Sequence, residues 1–150
     1  ESKFMATKSA LVSGEIDKEL TYTIWEPETD IRSGIWAISL QKVIVKFGYK
    51  TDRQFSFCVK TNFVEQNERD KAGNLIRINT CLGLFSSKGS KDEEIFIQNN
   101  NAQFFTITNP ENDLIVNVEN PFTKEKIIKP DQPETKAHKI ACYFVYKRIL

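Results

Sequence analysis

The chain has 150 residues, the size of one domain with one core, and its 21 Lys and Arg against 20 Asp and Glu leave a net charge of +1. So small a charge supplies no global field for gathering nucleic acid or an anionic membrane, and no nucleic-acid partner is expected without a local patch. The longest apolar runs, such as Val43-Ile44-Val45, fall far short of the roughly 20 residues of a membrane-spanning helix, so no membrane partner is expected.

Three cysteines, Cys58, Cys81 and Cys142, are too few and too scattered for a disulfide framework, and a reducing compartment fits them best. Eleven asparagines occur without one N-x-[ST] acceptor, which disfavours a glycosylated secreted protein. The chain starts at Glu1 instead of Met, so a processed or trimmed N-terminus is expected. Sixteen Ile, eight Val and eleven Thr outnumber seven Ala, eight Leu and one Met. Side chains branched at Cβ fit a pleated sheet better than a helix, and the composition reads as β.

In chain order, Leu20, Tyr22 and Ile24 alternate with polar or amphipathic neighbours as a half-buried strand does, and Glu26-Pro27-Glu28 ends it. Residues 34–47 are too long for one simple strand. Their apolar phase changes from even (Trp36, Ile38, Leu40) to odd (Val43, Val45, Phe47), which predicts a bulge or bend at Gln41-Lys42. Phe55, Phe57 and Val59 mark another strand, the polar residues 65–74 a hairpin loop, and Ile76, Ile78, Thr80, Leu82 and Leu84 the strand that follows. Residues 86–92 read as a second exposed loop, and Ile95 and Ile97 as a short strand stopped by Asn99-Asn100-Asn101. Phe105 and Ile107, then Leu114, Val116 and Val118, predict a hairpin turning at Asn109-Pro110. A brief strand at Lys126-Ile127-Ile128-Lys129 precedes the last one, 138–149, whose apolar residues on both faces suit a central strand buried on two sides. The expected fold is an all-β antiparallel β-sandwich over residues 1–150, a single jelly roll of 8–10 strands, with a barrel as the alternative.

Chemistry is sparse. With His138 as the single histidine, a histidine-based triad or a multi-histidine metal site is not expected. His138 and Cys142 share a strand face and offer a thiolate-imidazole pair on paper, but a histidine at a strand entrance and a small buried thiol account for both. Gly89-Ser90-Lys91 lacks the earlier glycine of a phosphate loop, and Asp92-Glu93-Glu94 and residues 109–113 suit solvated turns better than a Ca²⁺ site. The expectation is therefore no catalytic residue, no metal, no cofactor and no enzymatic activity. Trp25, Phe104, Phe105 and Phe122 stand out instead: two sit beside chain reversals, and Phe104-Phe105 must point to opposite faces of any strand. Their ordinary explanation is a second core face; their sharper one is a subunit interface.

Ser33-Gly34-Ile35-Trp36-Ala37-Ile38-Ser39-Leu40, Phe104-Phe105-Thr106-Ile107-Thr108-Asn109-Pro110 and Tyr143-Phe144-Val145-Tyr146-Lys147-Arg148 together resemble penton-type minor capsid proteins of virophages and Polinton-like viruses. The resemblance covers about a quarter of the chain, which is short for that family, whose members often carry an added protruding domain. It implies a jelly-roll subunit that forms a homo-oligomer, a pentamer being favoured, contacts other capsid proteins, and belongs to a virion assembled inside the host cell. The competing expectation is an extracellular lectin-like or cytokine-like binding module that recognises carbohydrate or a receptor through its loops.

Overall fold

The structure, a computed structural model, describes residues 7–23 and 33–150. Among the described residues there are nine strands and no helix: β1 (Thr7–Glu15), β2 (Leu20–Thr23), β3 (Trp36–Lys46), β4 (Phe55–Arg69), β5 (Leu75–Ser87), β6 (Glu94–Gln98), β7 (Phe105–Thr106), β8 (Asp113–Glu119) and β9 (Lys139–Arg148). They form two antiparallel sheets, one in the order β1-β9-β3-β6 with β7 also on β3, the other in the order β2-β8-β4-β5. Four of the pairings are nested, β1 with β9, β2 with β8, β3 with β6 and β4 with β5, and successive pairs fall in alternate sheets. The sheets face each other as a β-sandwich, as the alternating apolar pattern predicts.

One side chain in two from each sheet fills the space between them. Ala10 and Val12 of β1, Ile38, Leu40, Val43 and Val45 of β3, and Ile140, Cys142 and Phe144 of β9 meet Phe57, Val59 and Phe63 of β4, Phe85 of β5 and Leu114, Val116 and Val118 of β8. The bulge in β3 falls where the phase change predicts. Leu40 pairs with Phe144 and Lys42 with Tyr143, leaving Gln41 unmatched, and that one residue lets both the even and the odd apolar sets point inward.

A second bulge lies in β5, where Val59 pairs with Gly83 but Lys60 with Cys81, leaving Leu82 over. It breaks the predicted run from Ile76 to Leu84: Phe85 is buried, while Leu84 faces outward into solvent. Asn99 ties the two bulges together. Its side-chain amide donates to the Leu40 carbonyl at 2.8 Å and to the Leu82 carbonyl at 3.1 Å, and its backbone N–H donates to Gln41 at 2.9 Å. Carbonyls displaced from a ladder need such a donor, and one amide here serves both sheets.

Several expectations need correction. β1 carries no expectation at all, because its inward residues are small and Leu11 interrupts them with an outward apolar side chain. Residues 65–74 are half strand: 65–69 pair with 75–79, and the loop of the hairpin is confined to 70–74. There Asp70 accepts the Asn74 N–H on its carboxylate at 2.8 Å and Gly73 takes a φ of 85°. Just before this arm β4 leaves β5, and Asn62 pairs with β8 instead, accepting from Ile115 N–H at 2.9 Å and donating to the Asp113 carbonyl at 3.0 Å. Ser86 and Ser87 belong to β5 and not to the loop that follows. Phe105 and Ile107 do not form a hairpin with 114–118, since β7 pairs with β3 in the other sheet. Residues 126–129 contribute a single bridge, Glu119 to Lys126, in place of a strand. β9 is central, between β1 and β3, but only its even residues are fully buried; Ala141, Tyr143 and Val145 are half-buried.

Asn99→Ala removes both side-chain hydrogen bonds and leaves two bulge carbonyls without their donor. The expected loss is about 2–3 kcal/mol of unfolding free energy, read as a lower urea midpoint at unchanged m-value. Asn99→Asp, which brings an acceptor to two acceptors, is expected to cost more at pH 7.

Candidate functional site

Of the four aromatic residues singled out in the sequence, the three that are described differ in their surroundings. Trp25 lies outside the described residues. Phe105 opposes Ile38 in the β3–β7 pair and packs half-buried against the core. Phe104, its neighbour, is 40% exposed, and the Lys147 ammonium sits 4.0 Å from its ring centroid. Phe122 is 86% exposed on the turn after β8, where the Asn120 carboxamide oxygen accepts from the Phe122 and Thr123 N–H groups at 2.9 and 3.2 Å. That turn fixes the backbone and leaves the ring in water.

A larger apolar surface lies on the outer face of the first sheet. Register places Ala141, Ile44 and Phe96 in one row across β9, β3 and β6, and Leu11 opposite Tyr143 in the next. Phe96 is 67% exposed and Leu11 56%, with Ile44, Tyr143 and Val145 half-buried beside them. The Lys42 ammonium lies over the Tyr143 ring, 5.3 Å from its centroid. The residues carrying this face were visible in the sequence as the out-of-phase members of Val43-Ile44-Val45, Ile95-Phe96-Ile97 and the last strand. Burial on both faces explained them equally well.

His138 sits where β9 begins, 1% exposed. Its Nδ1 accepts the Gly48 N–H at 3.0 Å, its carbonyl accepts the Ile16 N–H at 2.8 Å, and its ring stacks on Tyr49 at 4.1 Å and on Phe55 at 5.4 Å between centroids. Because Nδ1 accepts, the neutral ring carries its proton on Nε2, which is buried without a partner. Gly48 is needed at this contact, since a Cβ there would collide with the Lys136 and Ala137 carbonyls. Cys142 faces the same side of β9, but four residues of strand separate the two side chains by roughly 13 Å. The thiol is enclosed in the core, where burial pushes it up to about 12. Thus no thiolate-imidazole pair forms, and the geometry makes His138 a fastener between β9 and the 47–55 connection. Among the described residues no three His, Cys, Asp or Glu side chains cluster as metal ligands. No helix among them is long and apolar enough to cross a membrane.

Burial lowers the His138 imidazole to about 4, below the ordinary value near 6.5. The unfolded chain therefore takes up a proton below about 6.5 that the folded chain refuses until about 4. Stability is full above that window and falls as the pH drops through it, by roughly 2–3 kcal/mol. Urea midpoints measured from pH 7 to pH 4 are expected to show this slope in the native chain and to lose most of it in His138→Phe.

Comparison with family models, with curated proteins and with solved structures gives no match for this chain.

Proposed function

We propose that the chain is a structural subunit, a jelly-roll minor capsid protein of the penton type, that joins copies of itself in a closed ring and contacts other capsid proteins within a virion. The observation that carries this reading is the apolar outer face of the first sheet. Large exposed apolar side chains in one contiguous face gain about 25 cal/mol for each Å² taken from water, so a second surface laid on Leu11, Ile44 and Phe96 is stabilised by their burial.

A second copy is the occupant that the rest of the chain suits. A ring needs two different patches on each subunit, and Phe122, exposed on the turn after β8, offers the other one. The net charge of +1 sets up little repulsion between copies. Support for the jelly roll comes from the nested pairs: with the two-residue β7 set aside, β1-β9-β3-β6 facing β2-β8-β4-β5 is the order produced by rolling one long antiparallel ribbon into two sheets. The segments 33–40, 104–110 and 143–148, which resemble penton-type proteins, support the same assignment.

Light scattering on the purified chain across concentration and salt is expected to give the mass of five copies, held at high salt because the contact is apolar. Phe96→Asp is expected to weaken association at least about tenfold, equivalent to about 1.4 kcal/mol, while Glu68→Ala on the arm leaves it unchanged. A monomer at every concentration, or a ring indifferent to Phe96→Asp, sinks the proposal; a monomer that binds immobilised sugar supports the lectin-like alternative instead.

A further inference from the structure

Two of the three thiols meet on the outer face of the second sheet. Cys58 of β4 points outward, between the inward Phe57 and Val59. In an unbroken ladder Cys81 of β5 would face the core, because it lies an odd number of residues from Leu84, the partner of Cys58. The extra residue Leu82 reverses that phase. Cys81 becomes the partner of Lys60 and turns outward on the face that Cys58 occupies, one diagonal step across the pair from it. The bulge therefore does for chemistry what the β3 bulge does for packing.

The two sulfurs differ in access. Cys81 is exposed and Cys58 is 3% exposed, and both line a surface cavity of about 270 Å³ with Lys60, Leu84, Pro121 and Lys124. Lys60 is ion-paired with Glu119 at 3.3 Å beside them. Cys142, enclosed in the core, takes no part.

We propose that Cys58 and Cys81 form a dithiol–disulfide site that exchanges with low-molecular-weight disulfides of the glutathione type, Cys81 attacking and Cys58 resolving. In the first step the Cys81 thiolate bonds to one sulfur of the external disulfide, the S–S bond of that molecule breaks, and one thiolate leaves with the electron pair. In the second, Cys58 gives up its proton to solvent and its sulfur attacks that of Cys81, expelling the second small thiolate. The protein loses two hydrogens and forms one S–S bond, the external disulfide is reduced to two thiols, and an excess of the reduced thiol reverses both steps.

The electrostatics suit these roles. The neighbouring Cys58 thiol, with help from the Gly83 and Val59 backbone and the Lys60 charge, holds the Cys81 thiol below the ordinary thiol range. The nearness of Cys81, together with burial, raises Cys58 and keeps its proton in place until Cys81 has reacted. When Cys81 is neutral, its own S–H donates to the Gly83 carbonyl at 3.3 Å.

The test uses the whole chain in buffers of oxidised and reduced glutathione, quenched in acid and read by intact mass and peptide mapping. Oxidised glutathione is expected to yield a chain two hydrogens lighter with the peptides of Cys58 and Cys81 joined, and reduced glutathione to restore it. Cys81→Ser, a change at an exposed position, is expected to leave the mass unaltered by the same treatment. Cys58→Ser is expected to stop at a single glutathione adduct on Cys81; should that variant fail to fold, the mapped bond in the native chain and the Cys81→Ser result decide the matter. Iodoacetamide labelling of Cys81 is expected to rise through a midpoint below that of an ordinary thiol. Thiols that stay free at every glutathione ratio, a bond that includes Cys142 or a second chain, or a labelling midpoint at the ordinary value of about 8.5 overturns the proposal.

Discussion

The sandwich depends on two extra residues, Gln41 in β3 and Leu82 in β5, and on the Asn99 amide that holds the backbone at both. A strand has a strict period of two, so a long strand cannot keep one face in the core when its apolar residues change parity. Without Gln41 as a spacer, either Ile38 and Leu40 or Val43 and Val45 would face solvent. The cost of a bulge is a pair of displaced carbonyls, and Asn99 offsets it for both sheets with one side chain. Because Leu40 belongs to one sheet and Leu82 to the other, the same amide also joins the layers near the edge where β5 and β6 follow one another.

How much of this was legible follows from where the information lies. The β class, the β3 bulge and the strands at β2, β6, β8 and β9 are local properties of apolar alternation, which a single segment displays. The β5 bulge was hidden because Ile76, Ile78, Leu82 and Leu84 keep an unbroken even rhythm in sequence. The interruption shows only in the pairing with β4, which lies between β5 and β8 and is hydrogen-bonded to both at the bulge. The false hairpin at 105–118 has the same origin: an Asn-Pro turn reverses the chain locally, while the choice of sheet for each arm rests on partners far away in sequence. The polar composition of 65–69 is that of a loop, yet two paired strands satisfy their backbone groups with each other whatever their side chains.

The candidate surfaces were legible in part. Phe122 and Phe104 lie in solvent, as aromatics beside chain reversals can, whereas Phe105 serves the core. Leu11, Ile44 and Phe96 escaped notice because an outward apolar residue flanked by inward ones looks the same, in one dimension, as a strand buried on both faces. The meeting of Cys58 with Cys81 could not be read at all, since it depends on the parity change at Leu82. His138 looked like a residue for chemistry or for packing, and its neighbours Tyr49, Phe55 and Gly48 come from a connection some ninety positions away.

The nested pairing also governs the order in which the chain can fold. β9 lies between β1 and β3, so the first sheet has no continuous hydrogen-bonded core until the last strand arrives, and Thr7 must find Lys147 across nearly the whole polypeptide. Closing so long a loop is entropically costly before any contact rewards it. Until β9 is in place, β1 has no neighbour in its sheet and the β3 edge away from β6 is unpaired, so a topology this rich in non-local pairings is expected to fold slowly.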